Sequence, residues 1–332
     1  MEENDFIDKR IEQVMKLVKE TNPDTGKKWS IRNIAEELDM KKSTVANLKK
    51  RGEKKEEEDV KVKAEQGDAD AQNNVGYMYH HGEGVIQDDS EAVKWFRLAV
   101  EQKHADAQFN LGAMYALGEG VTKDYTEAMK WYRLAAKQKH ALAQTHLGYM
   151  YYNGSGVHLD CKEAMKWYRL AAEQGLALAQ YELGRMCQFG EDYGVTKNEK
   201  EALWLYRLAA EQGDAEAQYR LALMYEQGEG VPENNKQALK WYRLAAEQGY
   251  VEAQYELGVR YMDGNDGVIQ DYVYAHMWYN LAASNGAEYA EKSRYEVAKE
   301  MTPADISEAT RLAREFEENE RGARYAELNN KS

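Results

Sequence analysis

Proline is almost missing from this chain. Three prolines in 332 residues leave long stretches free of the residue that helix interiors tolerate least. Cysteine is nearly as scarce. Cys161 and Cys187 are too few for a disulfide framework and lack a CxxC spacing, so a reducing, cytoplasmic location is the expectation. No apolar run approaches the ~18 residues of a membrane span. The opening "MEENDFIDKR" is charged and has no apolar signal core, so no secretion signal is expected.

What is present favours helices. Ala, Leu, Glu, Lys, Gln and Met dominate, all good helix formers, and the length allows two domains with a sizeable buried core. Charge is unevenly spread. Residues 26–55 carry eight lysines and two arginines against three glutamates and one aspartate, a net +6 on a chain of net −14, leaving −20 for the rest. A basic segment on an acidic body points to separate partners for the two parts.

Most of the chain is one phrase repeated. "ADAQNNVGYMYHHGEGV" at 69–85 returns at 105–121, 141–157, 177–195, 215–231 and 251–268. The alanine of its AQ pair falls at 71, 107, 143, 179, 217 and 253, a period of 36 residues broken once by two extra residues in the loop "GEDYGV". A second phrase of the type "EAMKWYRLAAEQG" follows each. Each unit therefore reads as two helices. In helix A, Ala71, Val75, Met78 and Tyr79 form an amphipathic stripe; in helix B, Ala92, Trp95, Phe96 and Ala99 do the same. Gly82 and Gly84 break the first helix. Gly76 and its equivalents 112, 148, 184 and 258 sit inside helix A, where glycine costs ~1 kcal/mol against alanine. The expected offset is close approach of a neighbouring helix, with the repeated Trp packing there.

The pattern A-x-A-Q-x-x-L-G-x-x-Y-x-x-G-x-G-V followed by A-x-x-W-Y-x-x-A-A-x-x-G resembles the Sel-one-like repeat, a relative of the tetratricopeptide repeat. Six copies span about 69–286. Ala222 replaces the helix A glycine, Cys187 replaces the tyrosine, and Leu205 takes the Trp position with Trp204 displaced by one. Residues 287–319 hold two helical patterns broken at "MTP" and resemble the terminal capping pair such solenoids need. The polar residues 320–332 are expected to form a flexible tail.

The front end reads differently. In "SIRNIAEELDMKKSTVANLKKR" at 30–51, Ile31, Ile34, Ala35 and Leu38 line a short helix capped by Ser30. "DMKK" makes a turn. Val45 and Leu48 form the inner face of a second helix, capped by Ser43. Ile7, Ile11, Val14 and Val18 give a longer first helix ended by "TNPDTG". Three helices with a tight turn resemble the helix-turn-helix DNA-binding family, with Asp39 where glycine is usual. By that resemblance Lys42, Ser43, Thr44 and Asn47 face the major groove, Lys50 stands on the same outward face, and Lys27, Lys28, Arg32, Lys49 and Arg51 contact phosphates. The alternative is a three-helix cap whose lysines are a solvated surface. Residues 53–67 read as one helix serving as linker and half-repeat.

In a stacked solenoid the helix A positions after AQ, and four residues later, lie on a concave wall. They are Asn73 and Tyr77, Phe109, Tyr149, Tyr181 and Arg185, Tyr219 and Tyr255, with Phe189 beside them. The aromatics either line a groove for a peptide or partner helix or pack adjacent repeats together. His80 and His81 adjoin a glycine loop, while His104 and His140 occupy inter-repeat turns; none has a metal-ligand spacing. The Gly-x-Gly loops follow helices and lack the strand and lysine of a phosphate cradle. Carboxylates are too spread to nominate an acid–base pair. The recurrent arginine of "WYRLAA" (Arg97, Arg133, Arg169, Arg207, Arg243) is expected to bridge to acidic loop residues.

The sequence thus predicts an all-α chain. A three-helix helix-turn-helix domain at 1–52 leads through a linker helix at 53–67 into a right-handed α/α solenoid at 68–286, with a cap at 287–319. The leading functional expectation is a DNA-associated adaptor: the front domain binds DNA and the acidic solenoid binds a protein partner with basic or aromatic features. The alternative is a protein-interaction scaffold alone, its front domain a cap or dimerisation element. No catalytic residues, cofactor, metal, membrane or small-molecule substrate are expected.

Overall fold

The computed structural model describes residues 2–20, 28–38, 40–265 and 267–331, without the side chains of 2–6, 32, 192 and 320–331. The regular structure among the described residues is seventeen α-helices and one short 3-10 turn. None of these helices is long and apolar enough to cross a membrane. The chain divides into two compact units, residues 1–138 and 139–332.

The first unit opens with α1 (Glu2–Lys19), α2 (Ile31–Glu37) and α3 (Lys42–Glu65). Ile11, Val14 and Met15 of α1 meet Ile34 and Ala35 of α2 and Val45 and Leu48 of α3 in one apolar core. Ser30 caps α2 by accepting the Asn33 N–H at 3.1 Å. The turn into α3 is closed by Met40 N–H donating to the Ala35 carbonyl at 2.8 Å; Asp39 lies outside the described residues, as does the segment "TNPDTG". Ser43 does not cap α3, contrary to expectation. The cap position is Lys41, whose carbonyl already accepts the Val45 N–H, so Ser43 is the second helical residue.

α3 does not stop at residue 52 but continues through the charge run to Glu65. It tolerates Gly52 in mid-helix because α1 crosses there: a Cβ would sit 2.5 Å from Met15. Beyond that crossing Ala64 is buried against Ala71 and Val75 of α4 (Ala69–His81). One helix thus serves both the three-helix core and the first repeat. α4 pairs with α5 (Asp89–Glu101), and α6 (Ala105–Leu117) with α7 (Tyr125–Lys137).

The second unit continues the pairing. Its helices are α8 (Ala141–Asn153), α9 (Cys161–Ala172), α10 (Ala177–Gln188), α11 (Glu199–Glu211), α12 (Ala215–Gln227), α13 (Asn235–Glu247), α14 (Val251–Asp263) and α15 (Tyr272–Ser284). α16 (Glu288–Ala298) and α17 (Pro303–Lys331) follow. α17 begins at a reciprocal cap between Thr302 and Asp305 and packs on α15 through Phe316 and Trp278, ring centroids 5.4 Å apart. It runs on to Lys331, so residues 320–331 of the expected flexible tail are helical. The stretch "RGARYAELNNK" has no proline and is rich in helix formers.

Loop chemistry fixes where each helix starts and stops. Asp88, Asp124, Asp160, Asn198, Asn234 and Asp271 cap the second helix of each pair with their side chains. Gly154 ends α8 in the left-handed conformation, φ 68°, which a side chain would strain. Inside helix A the expected close approach is present, but the Trp is not the residue that makes it. Gly76 and Gly112 of the first unit face Phe96 and Tyr132, and Gly148, Gly184 and Gly258 of the second face Tyr168, Tyr206 and Tyr279. The ring on the glycine belongs to the residue after the Trp position. The Trp itself is rotated ~100° around the helix and stays half-buried at positions 95, 131 and 167.

Candidate functional site

The residues singled out in the sequence fall mainly on α3 and on the first helices of the repeats. On α3, Val45, Leu48 and Gly52 form the buried seam, and helical spacing puts Ser43, Asn47, Lys50 and Lys54 on the opposite side. Lys42, Ser43, Thr44, Asn47, Lys50 and Arg51 are all exposed, as is Lys28. Lys49 is half-buried and pairs with Glu53 at 3.4 Å. Lys27 and the Arg32 side chain lie outside the described residues. Further along, Lys55 pairs with Asp8 at 3.3 Å, and Lys19 of α1 pairs with Glu56 at 2.6 Å. Lys49, Lys54 and Lys55 are thus tied to acids, while no ion pair joins Lys42, Lys50 or Arg51 to another described residue.

The helix A residues are placed unit by unit. In the first unit Asn73 accepts from Asn110 at 2.9 Å, Tyr77 is exposed and stacks on His81 at 3.9 Å, and Phe109 leans on Tyr132 at 5.7 Å. In the second unit Tyr149 stands in solvent, 57% exposed. Tyr181 is buried, its ring 5.8 Å from Tyr206 and its hydroxyl donating to Glu216. Tyr219 lies between Tyr242 and Tyr250, and Tyr255 between Tyr279 and Tyr289. Phe109, Tyr181, Tyr219 and Tyr255 therefore each pack on the Tyr of their own helix B, while Tyr77 and Tyr149 are exposed.

Charge is concentrated among these rings in the second unit. Arg185 donates to Glu182 at 2.8 Å and to the hydroxyls of Tyr152 and Tyr193 at 3.1 and 2.8 Å. Tyr193 is delivered by the 3-10 turn Gly190–Tyr193, the site of the two-residue insertion. Burial disfavours the charged guanidinium, but these bonds outweigh it and hold Arg185 above its usual value. The Arg220 guanidinium stands 5.6 Å from the Phe189 ring. Arg260, 4% exposed, is held by Glu226 and Glu256 and lies 4.2 Å from the Tyr242 ring. The wall is thus a row of cations and carboxylates set between phenols.

Comparison with known families matches the repeat pattern to the model described as Sel1 repeat at 69–104, 105–140, 141–176, 177–214, 215–250 and 251–286. The chain belongs to the Sel1 repeat family. A Sel1 repeat protein from Oxalobacter formigenes is 39% identical over 65% of this chain and 86% of its own, with a TM-score of 0.59. The c5321 protein, a protective antigen of uropathogenic Escherichia coli strains displaying an SLR fold, is 32% identical over 79% of this chain and 63% of its own, with a TM-score of 0.52. Residues 27–69 match a second model, "Putative ATPase subunit of terminase (gpP-like)". No curated protein matches the chain.

Two polar systems of the Sel1 repeats were not legible as functional in the sequence. The glutamine of every AQ pair is buried. Gln72, Gln180, Gln218 and Gln254 donate to the carbonyls of Ala64, Ala172, Ala210 and Ala246 at 3.1 to 3.3 Å. Their side-chain oxygens accept from Gln102, Gln212, Gln248 and Asn285. The signal was there: a polar residue repeated at an otherwise apolar position. The arginine of helix B, expected to reach acidic loop residues, instead finds a phenol. Arg97, Arg207 and Arg243 donate to Tyr115, Tyr225 and Tyr261, each eighteen residues further along. Where Cys187 replaces that tyrosine, Arg169 turns to Glu201 at 2.6 Å. His104 and His140 prove to be N-caps, each Nδ1 accepting an amide N–H at 3.1 Å.

Proposed function

We propose that this Sel1 repeat protein is a non-enzymatic adaptor whose front domain binds DNA and whose repeats hold a protein partner. The observation that carries the first half is the exposed face of α3. Ser43, Asn47 and Lys50 stand opposite the buried seam, flanked by Lys42, Thr44 and Arg51. Asn and Lys suit base edges, Ser and Thr suit bases or phosphates, and Lys and Arg suit phosphates. The net +6 of residues 26–55 is the electrostatic footprint such binding needs, and the terminase match at 27–69 falls on the same segment. Continuity of α3 into the first repeat would report DNA occupancy to the first pair of repeat helices.

The second half rests on the repeats. Stacked helix pairs offer an extended surface, and in the second unit Tyr149, Phe189, Tyr219 and Tyr255 alternate with Arg185 and the Glu residues around it. Side chains of this kind, large and amphipathic, are those that anchor protein interfaces.

The test is DNA binding by the intact chain across a salt series, beside a variant carrying Lys42→Ala, Asn47→Ala and Lys50→Ala. Binding that weakens steeply with salt is expected. The variant should lose affinity, with a salt slope reduced by roughly 2 for its two missing lysines. Equal binding by both proteins would remove the α3 face as the DNA site, and binding by neither would remove DNA from the reading and leave the interaction scaffold.

A further inference from the structure

The second helices of the first three repeats carry an ion pair that the later repeats lack, and only α13 keeps its lysine without the acid. Lys94 donates to Glu91 at 2.6 Å, Lys130 to Glu127 at 2.5 Å and Lys166 to Glu163 at 2.7 Å. On α13 the lysine remains as Lys240, but the acid's position is held by Gln237. Lys240 lies 5.2 Å from the Trp241 ring, and Arg243, one turn on, donates to the Tyr261 hydroxyl at 3.3 Å. Lys236, one turn earlier, is exposed. None of these three cations is within ion-pair distance of a carboxylate among the described residues.

The same residues line an open cleft of about 660 Å³, together with Leu239, Leu244 and Gly267. Lys236, Lys240 and Arg243 follow one another at the i, i+4, i+7 spacing of a single helix face, spanning ~10 Å. This is a cationic strip with an aliphatic lining on a chain of net charge −14.

We propose that the α13 cleft binds a short acidic segment of a partner protein, its carboxylates paired with Lys236, Lys240 and Arg243 and an aliphatic side chain resting on the half-buried Leu244. Charge complementarity selects the acid. Leu244 selects a peptide over a nucleic acid, which would bring phosphates but no aliphatic group. Trp241 is 9% exposed, so it offers no face on which bases could stack. This surface lies on a second helix of a repeat pair and is separate from the helix A residues described above.

The experiment uses the intact chain and a fluorescein-labelled EELDEL peptide, read by anisotropy, with QQLNQL as its neutral counterpart. EELDEL is expected to bind at least about tenfold more tightly than QQLNQL, and Lys236→Gln with Lys240→Gln to cost a similar factor. Gln237→Glu should weaken the peptide severalfold by restoring the ion pair of the earlier repeats, with unchanged helicity by circular dichroism. Because that variant recreates a local arrangement the fold already uses three times, failure to fold does not cloud it. Equal affinity for both peptides, or full binding by Gln237→Glu, would overturn the proposal. So would a thymidine oligonucleotide whose binding, rather than the peptide's, is lost in the lysine double variant.

Discussion

The side-chain amide of Gln212 donates to the side-chain oxygen of Gln180 across 2.7 Å, and Gln180 in turn donates to the Ala172 carbonyl at 3.3 Å. A buried amide with both ends occupied ties the end of one helix pair to the start of the next and to the turn that follows. Leaving a buried carbonyl without its donor costs about 1–3 kcal/mol. Gln180→Ala should therefore lower the urea midpoint by that order, whereas Gln212→Ala, at an exposed donor, should cost less. A Gln180→Ala midpoint equal to that of the native chain would show that the ladder only accompanies the stacking.

Tyr168 and Tyr206 occupy equivalent places and differ in one atom's surroundings. The Tyr206 hydroxyl donates to Gln188 at 2.9 Å, while the buried Tyr168 hydroxyl has no hydrogen-bond partner among the described residues. Tyr206→Phe should cost about 1 kcal/mol, and Tyr168→Phe should be neutral or stabilising. Gly148→Ala is the complementary test, since its Cβ would meet the Tyr168 ring at 2.7 Å. Overpacking of this kind costs about 1–3 kcal/mol and should outweigh the gain in helix propensity. Denaturant midpoints for the three variants decide the matter; a stabilised Gly148→Ala would contradict the packing described.

These contacts mark where the sequence was readable. Period, caps and amphipathic stripes are local properties, so the paired helices and their family were legible from spacing alone. Which of two adjacent aromatics, Trp167 or Tyr168, rests on Gly148 depends on a ~100° difference in direction that the spacing of apolar residues does not resolve. The candidate surfaces were legible as residue types. Burial of Tyr181 depends on neighbours from other positions in the fold, Tyr206 and Glu216, whereas Gln237 in the acid's place before Lys240 was there to be read in the sequence.

Histidines make the second unit sensitive to acid. Burial, reinforced by the charge of nearby His140, holds His146 down at about 4, against an ordinary value of 6.5. Burial and Arg294 push His276 in the same direction. A depressed folded value means that the unfolded chain takes up the proton first. Stability is then intact above 6.5 and falls as the pH drops toward 4. His146→Gln should flatten this loss, and with it a midpoint difference between pH 7 and pH 4.5 of roughly 2–3 kcal/mol at most. Urea titrations at the two pH values measure it. An unchanged pH dependence in the variant would place the sensitivity elsewhere.

The two thiols should separate by reactivity. Cys187 fills the place of the repeat's tyrosine and is 1% exposed. Burial pushes its thiol up to about 12, with Glu201 adding to the shift and Arg169 opposing it. Cys161 is half-exposed, and burial and Asp160 raise it as well. Because the thiolate is the reacting species, a disulfide reagent at pH 8 should titrate Cys161 in the native chain and reach Cys187 only on unfolding. The same shift predicts that stability declines as the pH rises past the ordinary thiol range, since the unfolded chain loses its proton before the folded one. Cys187→Ser would retain a small polar side chain and leave one reactive thiol under native conditions. Reaction of both thiols at equal rates in the native chain would mean that the fourth repeat opens readily. Arg169, which has Glu201 rather than a phenol as its partner, would then mark the weak point of the stack.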